Sequence, residues 1–325
     1  MTIPLRQLLD EMKSAPPGDA NLYALSNLDL EEVEAIRPVW RDLPAERRRD
    51  IISRLVRIAE RDIEVSFNGF FRMALEDADA EVRESAIEGL WEERDVRLIT
   101  LLIKRLREDP WPAVRAAAAL SLGRFVLLGE LGKIHSRPHQ RAYDALMAVC
   151  CSEEEAVEVH RRALEAVSYS CEEAVAPLIE AAHRHPDERM RTSAVFAMGR
   201  SADPQWASKV LAELHSHNPE MRHEAARACG KLALEAALAT LIDLVEDVDP
   251  EVQDAAIWSL GQIGGDDARQ VLDACLKADS EARRAAASAA LRELELLHGD
   301  IGTLLLPFDS DDDEEDSDLG GEDLL

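Results

Sequence analysis

The apolar residues of this chain recur in blocks of about 31 residues, and no other feature narrows the possible folds so sharply. Aligned on the residue that opens the second helical pattern of each block, the copies begin at Val82, Val114, Val159, Met190, Met221, Val252 and Ala282. The steps between them are 32, 45, 31, 31, 31 and 30 residues. The next position is basic in five copies (Arg83, Arg115, Arg191, Arg222 and Arg283), with His160 and Gln253 in the other two. Four residues past the marker every copy has alanine: Ala86, Ala118, Ala163, Ala194, Ala225, Ala256 and Ala286. Seven past it stand Gly89, Ser121, Ala166, Ala197, Ala228, Ser259 and Ala289. Small residues at both spacings share one helix face, so this face meets a neighbouring helix at close range.

The helix starts are written in capping chemistry. Asn218-Pro219-Glu220 and Asp249-Pro250-Glu251 read as N-cap, proline at the first helical position, and an acidic residue in the first turn. Asp79, Asp187 and Asp279 take the cap position without the proline. Gly123, Gly199, Gly230 and Gly261, nine past the marker, either end the helix or permit a close approach. Upstream of the markers lie further apolar-periodic helices, such as those from Leu98, Leu238 and Ala268. Each unit is therefore a helix–turn–helix that cannot bury its apolar face alone.

The Asp77-x-Asp79-x-Glu81-Val82-Arg83 and Asp247-x-Asp249-Pro250-Glu251-Val252 stretches resemble HEAT repeats of the short bacterial type, often called PBS-lyase HEAT-like. The resemblance implies an all-α fold, a right-handed α-α superhelix of about eight helix pairs, with the second helices lining a concave face. Residues 29–62 read as a degenerate N-terminal capping pair without the Val-Arg signature, after a lead segment over 1–28. The repeats occupy 63–300, and the 45-residue step is expected to hide a surface loop at 129–140.

Length and composition agree. At 325 residues the chain exceeds the roughly 250–300 at which one compact core stops growing. Its 4% aromatic content argues against a sandwich or barrel, which rests on aromatic and β-branched residues. A net charge of −28 argues against nucleic acid or an anionic membrane as partner. Five cysteines without a CxxC are expected to be reduced thiols packed as small hydrophobes, which points to the cytoplasm. No long uncharged apolar stretch or secretory signal stands out. Residues 301–325 form an acidic tail expected to be disordered; from Asp309 to Leu325 there are ten acidic residues and no basic one. Without those ten charges the −28 becomes −18, so the body is acidic too, and the tail is expected to act as a solubilising brush rather than fold back onto Arg161, Arg162 and Arg227.

Catalytic signatures for nucleotides, zinc or an acyl nucleophile (GxGxxG, GxxxxGK[ST], HExxH, GxSxG) are not found in the sequence. His223-Glu224 resembles an iron-binding step of deoxyhypusine hydroxylase, a HEAT-like enzyme, but the equivalent positions of the other units supply no further His-Glu pair. The turn pairs His183/His185 and His215/His217 are read as ordinary polar turns rather than metal ligands. No catalytic residue, cofactor or metal site is assigned. The informative row lies six past the marker, where Phe196, Arg227 and Trp258 stand 31 residues apart, with His223 and Asp254 nearby and Glu165 at the edge. Aromatic and arginine side chains are those most enriched in binding hot spots. The expected function is a non-catalytic scaffold that binds a protein or peptide segment through Phe196, His223, Arg227, Asp254 and Trp258. The alternative from the family resemblance is a phycobilin-lyase-like enzyme or enzyme subunit.

Overall fold

A computed structural model describes residues 4–298 apart from residue 153. The tail at 301–325 lies outside the described residues. Two short helices, α1 (Leu5–Ser14) and α2 (Asp19–Leu22), precede eight helix pairs, and no strand occurs among the described residues. The first helices of the pairs are α3 (Leu30–Asp42), α5 (Asn68–Ala74), α7 (Leu98–Glu108), α9 (Ser136–Cys150), α11 (Val175–His183), α13 (Ala207–Glu213), α15 (Leu238–Leu244) and α17 (Asp266–Cys275). The second helices are α4 (Ala45–Arg61), α6 (Ala80–Gly89), α8 (Pro112–Glu130), α10 (Val157–Val167), α12 (Glu188–Ser201), α14 (Pro219–Lys231), α16 (Pro250–Ile263) and α18 (Glu281–His298). Each second helix packs on the next, from α4 to α18, so these helices form one continuous layer of an all-α solenoid.

The small-residue stripe makes that layer. Ala86, Ala118, Ala163, Ala194, Ala225 and Ala256 are all fully buried. The glycines nine past the marker lie inside their helices and serve close approach. A Cβ on Gly199 would sit 2.6 Å from Ala228 Cα, and one on Gly123 would sit 2.9 Å from Ala166 Cα. Alanine there would force neighbouring helices apart.

The basic residue after the marker has a defined task. Arg83 Nη1 donates to the Asp77 and Ala78 carbonyls, Arg191 to His185 and Pro186, and Arg222 to Ser216 and His217. In each case the guanidinium reaches five and six residues back and ties off the turn that joins the paired helices. These carbonyls would otherwise lack a partner where the chain reverses. The same side chain can also reach the next unit. Arg83 binds both oxygens of Asp109 at 2.7 Å, and Arg222 binds both oxygens of Asp247 at 2.8 Å. The turn aspartate in its own unit accepts a backbone N–H, as Asp109 does from Trp111 and Asp247 from Asp249.

Several sequence expectations need correction. In the last unit Arg284, not Arg283, clamps the turn, at 2.7 Å from both the Ala278 and Asp279 carbonyls. The marker therefore shifts one place from the exposed Ala282, the buried small residues are Ala287 and Ala290, and Ser280 replaces Asp279 as the cap. The capping pair does carry the arginine: Arg48 donates to the Leu43 carbonyl and pairs with Asp77. The expected loop at 129–140 is mostly helix, because α8 runs on to Glu130 and α9 begins at Ser136. The lead segment belongs to the core, with Leu8, Met12, Leu22 and Leu25 fully buried. Of the cysteines only Cys229 and Cys275 are buried, while Cys151 and Cys171 are exposed. By length and composition α8 could cross a membrane; here it is packed among α6, α7, α9 and α10.

The clamp makes a stability prediction. Burial pushes the Asp109 carboxyl up, but hydrogen bonds from Arg83 and the Trp111 N–H outweigh it and hold the carboxyl below the usual carboxylate range. The folded state thus binds this proton more weakly than the unfolded chain does. The contribution is complete above about pH 4 and is lost as pH falls through the lowered value. Arg83→Ala should cost about 3–5 kcal/mol at neutral pH, as expected for stranding one partner of a buried pair. In urea melts the gap between the wild type and Asp109→Asn should shrink as pH drops below about 4. A gap that stays constant to pH 2 would remove the pair from this account.

Candidate partner-binding face

The row six past the marker is only part of the exposed surface of the second helices. One turn further on, at the tenth position, the successive units present Arg124, Tyr169, Arg200, Lys231 and Gln262. Residues four apart lie on one helix face, so the two rows form a single strip.

On this strip the aromatic rings are covered by cations. Arg200 Cζ lies 4.1 Å from the Tyr169 ring centre and 4.5 Å from that of Phe196. Lys231 Nζ lies 4.9 Å from the Phe196 ring centre, and Arg227 Cζ lies 3.8 Å from that of Trp258. All of these side chains are half-buried. Arg200, Arg227 and Lys231 make no ion pair or hydrogen bond with the described residues. Their charges are instead held against ring faces, an attraction that strengthens as water is removed. Burial depresses the basicity of Arg200 and Arg227, and it brings the Lys231 ammonium down to about 8, helped by the two arginines and opposed by Glu224.

Phe196, Arg227 and Trp258 therefore lie on one face, but as stacked pairs rather than open rungs. His223 is committed to structure, its Nδ1–H donating to the Glu251 carbonyl of the next unit at 3.1 Å. Asp254 is exposed. Glu165, expected at an exposed edge, is buried: it accepts from Ser193 Oγ at 2.6 Å and from Arg162 at 2.7 Å. Arg161 and Arg162 are both paired with Glu158, so neither is a free cation of the groove. Glu224 sits among the cations with its carboxyl pushed up by burial.

Towards the N-terminus the same face holds a recess of about 470 Å³ between α6, α8 and α10. Trp91 and Leu120 line it and remain half exposed, at 54% and 50%. Arg124 closes one side, donating to the Trp91 carbonyl and stacking on Phe125. Trp91 and Arg124 were not singled out from the sequence; the tenth-position row was the available signal for Arg124, Arg200 and Lys231. The histidine pairs are not gathered. His183 Nε2 lies 3.0 Å from Glu213, and His185 Nδ1 accepts the Asp187 N–H. No group of three or more His, Cys, Asp or Glu side chains able to hold a metal occurs among the described residues.

A family profile of HEAT repeats matches residues 68–168 and 207–292, more than half of the chain. Among solved structures, yeast importin-beta is similar at a TM-score of 0.52 and 13% identity, with 89% of this chain and 46% of that chain covered. The complex of the two phycocyanin lyase subunits from Nostoc matches at 0.44 and 19% identity, over 60% of this chain and 76% of that one. Human deoxyhypusine hydroxylase matches at 0.36 and 20% identity, over 82% and 96%. No curated protein matches the sequence significantly.

The crowding of the cations is directly measurable. In an NMR pH titration the Lys231 side chain should titrate near 8 rather than near the ordinary value of about 10.4. Arg200→Gln should raise that midpoint, and Glu224→Gln should lower it further. A midpoint above 10 in the wild type would mean that Lys231 is solvated and the patch is not assembled.

Proposed function

The chain belongs to the HEAT-repeat family, and on that premise we propose that it is a non-catalytic scaffold or adaptor that holds a segment of a protein partner along the groove formed by its second helices. The observation that carries this reading is the strip of half-buried aromatic rings and cations without acidic partners on α12, α14 and α16. Such a strip offers a ligand both apolar contact area and guanidinium groups for its carboxylates or main-chain carbonyls. Neighbouring second helices lie about 10 Å apart, so an extended segment crosses one unit in about three residues. The half-exposed Leu120 on α8 and Trp91, in the turn just past α6, line a recess beside the same helix layer, which lengthens the available surface. A cytoplasmic setting is part of the proposal, supported by the exposed free thiols of Cys151 and Cys171, which an oxidising compartment would put at risk of pairing.

Trp258→Ala separates binding from packing. Affinity for the partner recovered by cross-linking from the native cell should fall by about 2 kcal/mol or more, the hot-spot threshold. Stability in urea should fall by clearly less than the about 3–5 kcal/mol typical of a core tryptophan. Unchanged affinity with a large stability loss would make Trp258 a packing residue and sink the groove.

A further inference from the structure

The average charge of the body hides a local reversal. The chain carries −28 overall, yet Arg200, Arg227 and Lys231 converge on one strip without an acidic partner within 4 Å among the described residues. Two carboxylates come near them among the described residues: Glu224, half-buried, and Glu165, which is already held by Arg162 and Ser193, while Arg161 and Arg162 are taken by Glu158 and Glu165. A half-buried cation that has left part of its hydration behind gains strongly from an anion brought to it. The strip therefore calls for carboxylates, and the chain holds a dense supply of them at Asp309–Asp323.

The tether leads to the right place. Helix α18 ends at His298, whose Nε2–H donates to the Gln262 carbonyl at 2.9 Å. Gln262 is the next member of the row that contains Lys231 and Arg200. At about 10 Å per unit, Lys231 lies about 10 Å and Arg200 about 20 Å along the layer from that point. The ten residues 299–308 can span up to about 33 Å when extended, so Asp309 and the acidic run behind it have ample reach.

We infer that the acidic segment 309–325 occupies the Arg200–Arg227–Lys231 strip of its own chain and competes there with the partner. This rests on reading the strip as a peptide groove, and it departs from the brush expected from net charge alone. At physiological salt, charges more than about 8 Å apart are largely screened, so contact pairing is decided by the groups at the strip and not by the mean charge of the body. The tail is then a built-in competitor whose release accompanies partner binding.

A carbodiimide that couples amines to carboxylates without adding a spacer tests this on the full chain. The activated carboxyl of an Asp or Glu loses its urea leaving group as the Lys231 amine attacks, and an amide forms. Mass spectrometry should find Lys231 joined to residues 309–323 within monomers, with a yield that drops about tenfold near 1 M salt, where the Debye length is about 3 Å. The full-length double variant Arg200→Gln/Arg227→Gln should lower the yield by a similar factor. Links found only between two copies, or Lys231 joined to Glu224 and never to the tail, would overturn the inference. A full-length variant with the tail acids changed to Asn and Gln should bind the cross-linked partner at least about tenfold more tightly, a gain of about 1.4 kcal/mol. If tail links form but neither this variant nor Trp258→Ala alters partner affinity, the tail occupies the strip and the groove reading alone has failed. If Trp258→Ala weakens the partner and no tail link forms, the groove stands and the competitor falls.

Discussion

One guanidinium that holds two turns at once sets the spacing of this solenoid. Arg83 and Arg222 each bind the carbonyls of their own turn and the aspartate of the following one. The first contact fixes how the two helices of a unit reverse, and the second fixes how far the next unit stands away. Because the bonds are bidentate and buried, the geometry tolerates little variation. The turn carbonyls lie five and six residues before the arginine, so this part of the clamp fixes the length of the turn and the start of the second helix in each unit that has it.

Close approach of the second helices depends on the clamp for its register. Glycine faces alanine or serine at four of these junctions (Gly123, Gly199, Gly230 and Gly261), and Gly230 lies so near Ser259 and Trp258 that a Cβ would stand 2.7 Å from both. With so little side chain between them, the helix backbones determine where the next row falls. Arg227 of one helix consequently lands on the Trp258 ring of its neighbour, and Lys231 lands on Phe196. The binding strip is thus a product of the packing stripe on the opposite side of the same helices.

The parts of this arrangement legible in the sequence are those carried by short, repeated spacings. Caps at Asn218 and Asp249, the alanine stripe and the paired helices all fall within one or two turns, so pattern alone locates them. The register of the last unit was obscured because its run of alanines offers a small residue in two adjacent phases. Only the turn carbonyls bound by Arg284 distinguish the two. The 45-residue step looked like a loop because Gly and Pro mark turns, yet here Gly129 lies inside α8 and packs on His139. The burial of Glu165 depends on Ser193 of the next unit, a contact that spacing within one helix does not encode. Arg200 and Lys231 stand at the tenth position, one turn past the sixth-position row and on the same face, so single-position spacing does not pick them out.

The clamp is incomplete where the strip lies, and this absence has a physical consequence. At the turn before α12 the aspartate position is His185, and before α14 it is Ser216, so no carboxylate there receives the preceding unit's guanidinium. The preceding unit itself carries His160 in place of arginine, with Nε2 buried and unpartnered. A cavity of about 390 Å³ opens between the turn before α10 and the turn before α12, lined by His160, His185 and the half-buried Met190. In exchange, more exposed contacts bridge the units: Lys209 to Glu180, His183 to Glu213, and Arg161 to Ser193. Such pairs hold less firmly than a buried bidentate clamp, because water screens them and their side chains retain freedom. Local opening costs least where packing is sparse and the bonds are exposed. The bidentate clamps Arg83–Asp109 and Arg222–Asp247 therefore flank a less firmly tied stretch, from α10 to α13, where opening costs least. A groove that must exchange one occupant for another gains from that distribution, because the loosely tied junctions can adjust to the chain held there while the clamped ones on either side keep their register.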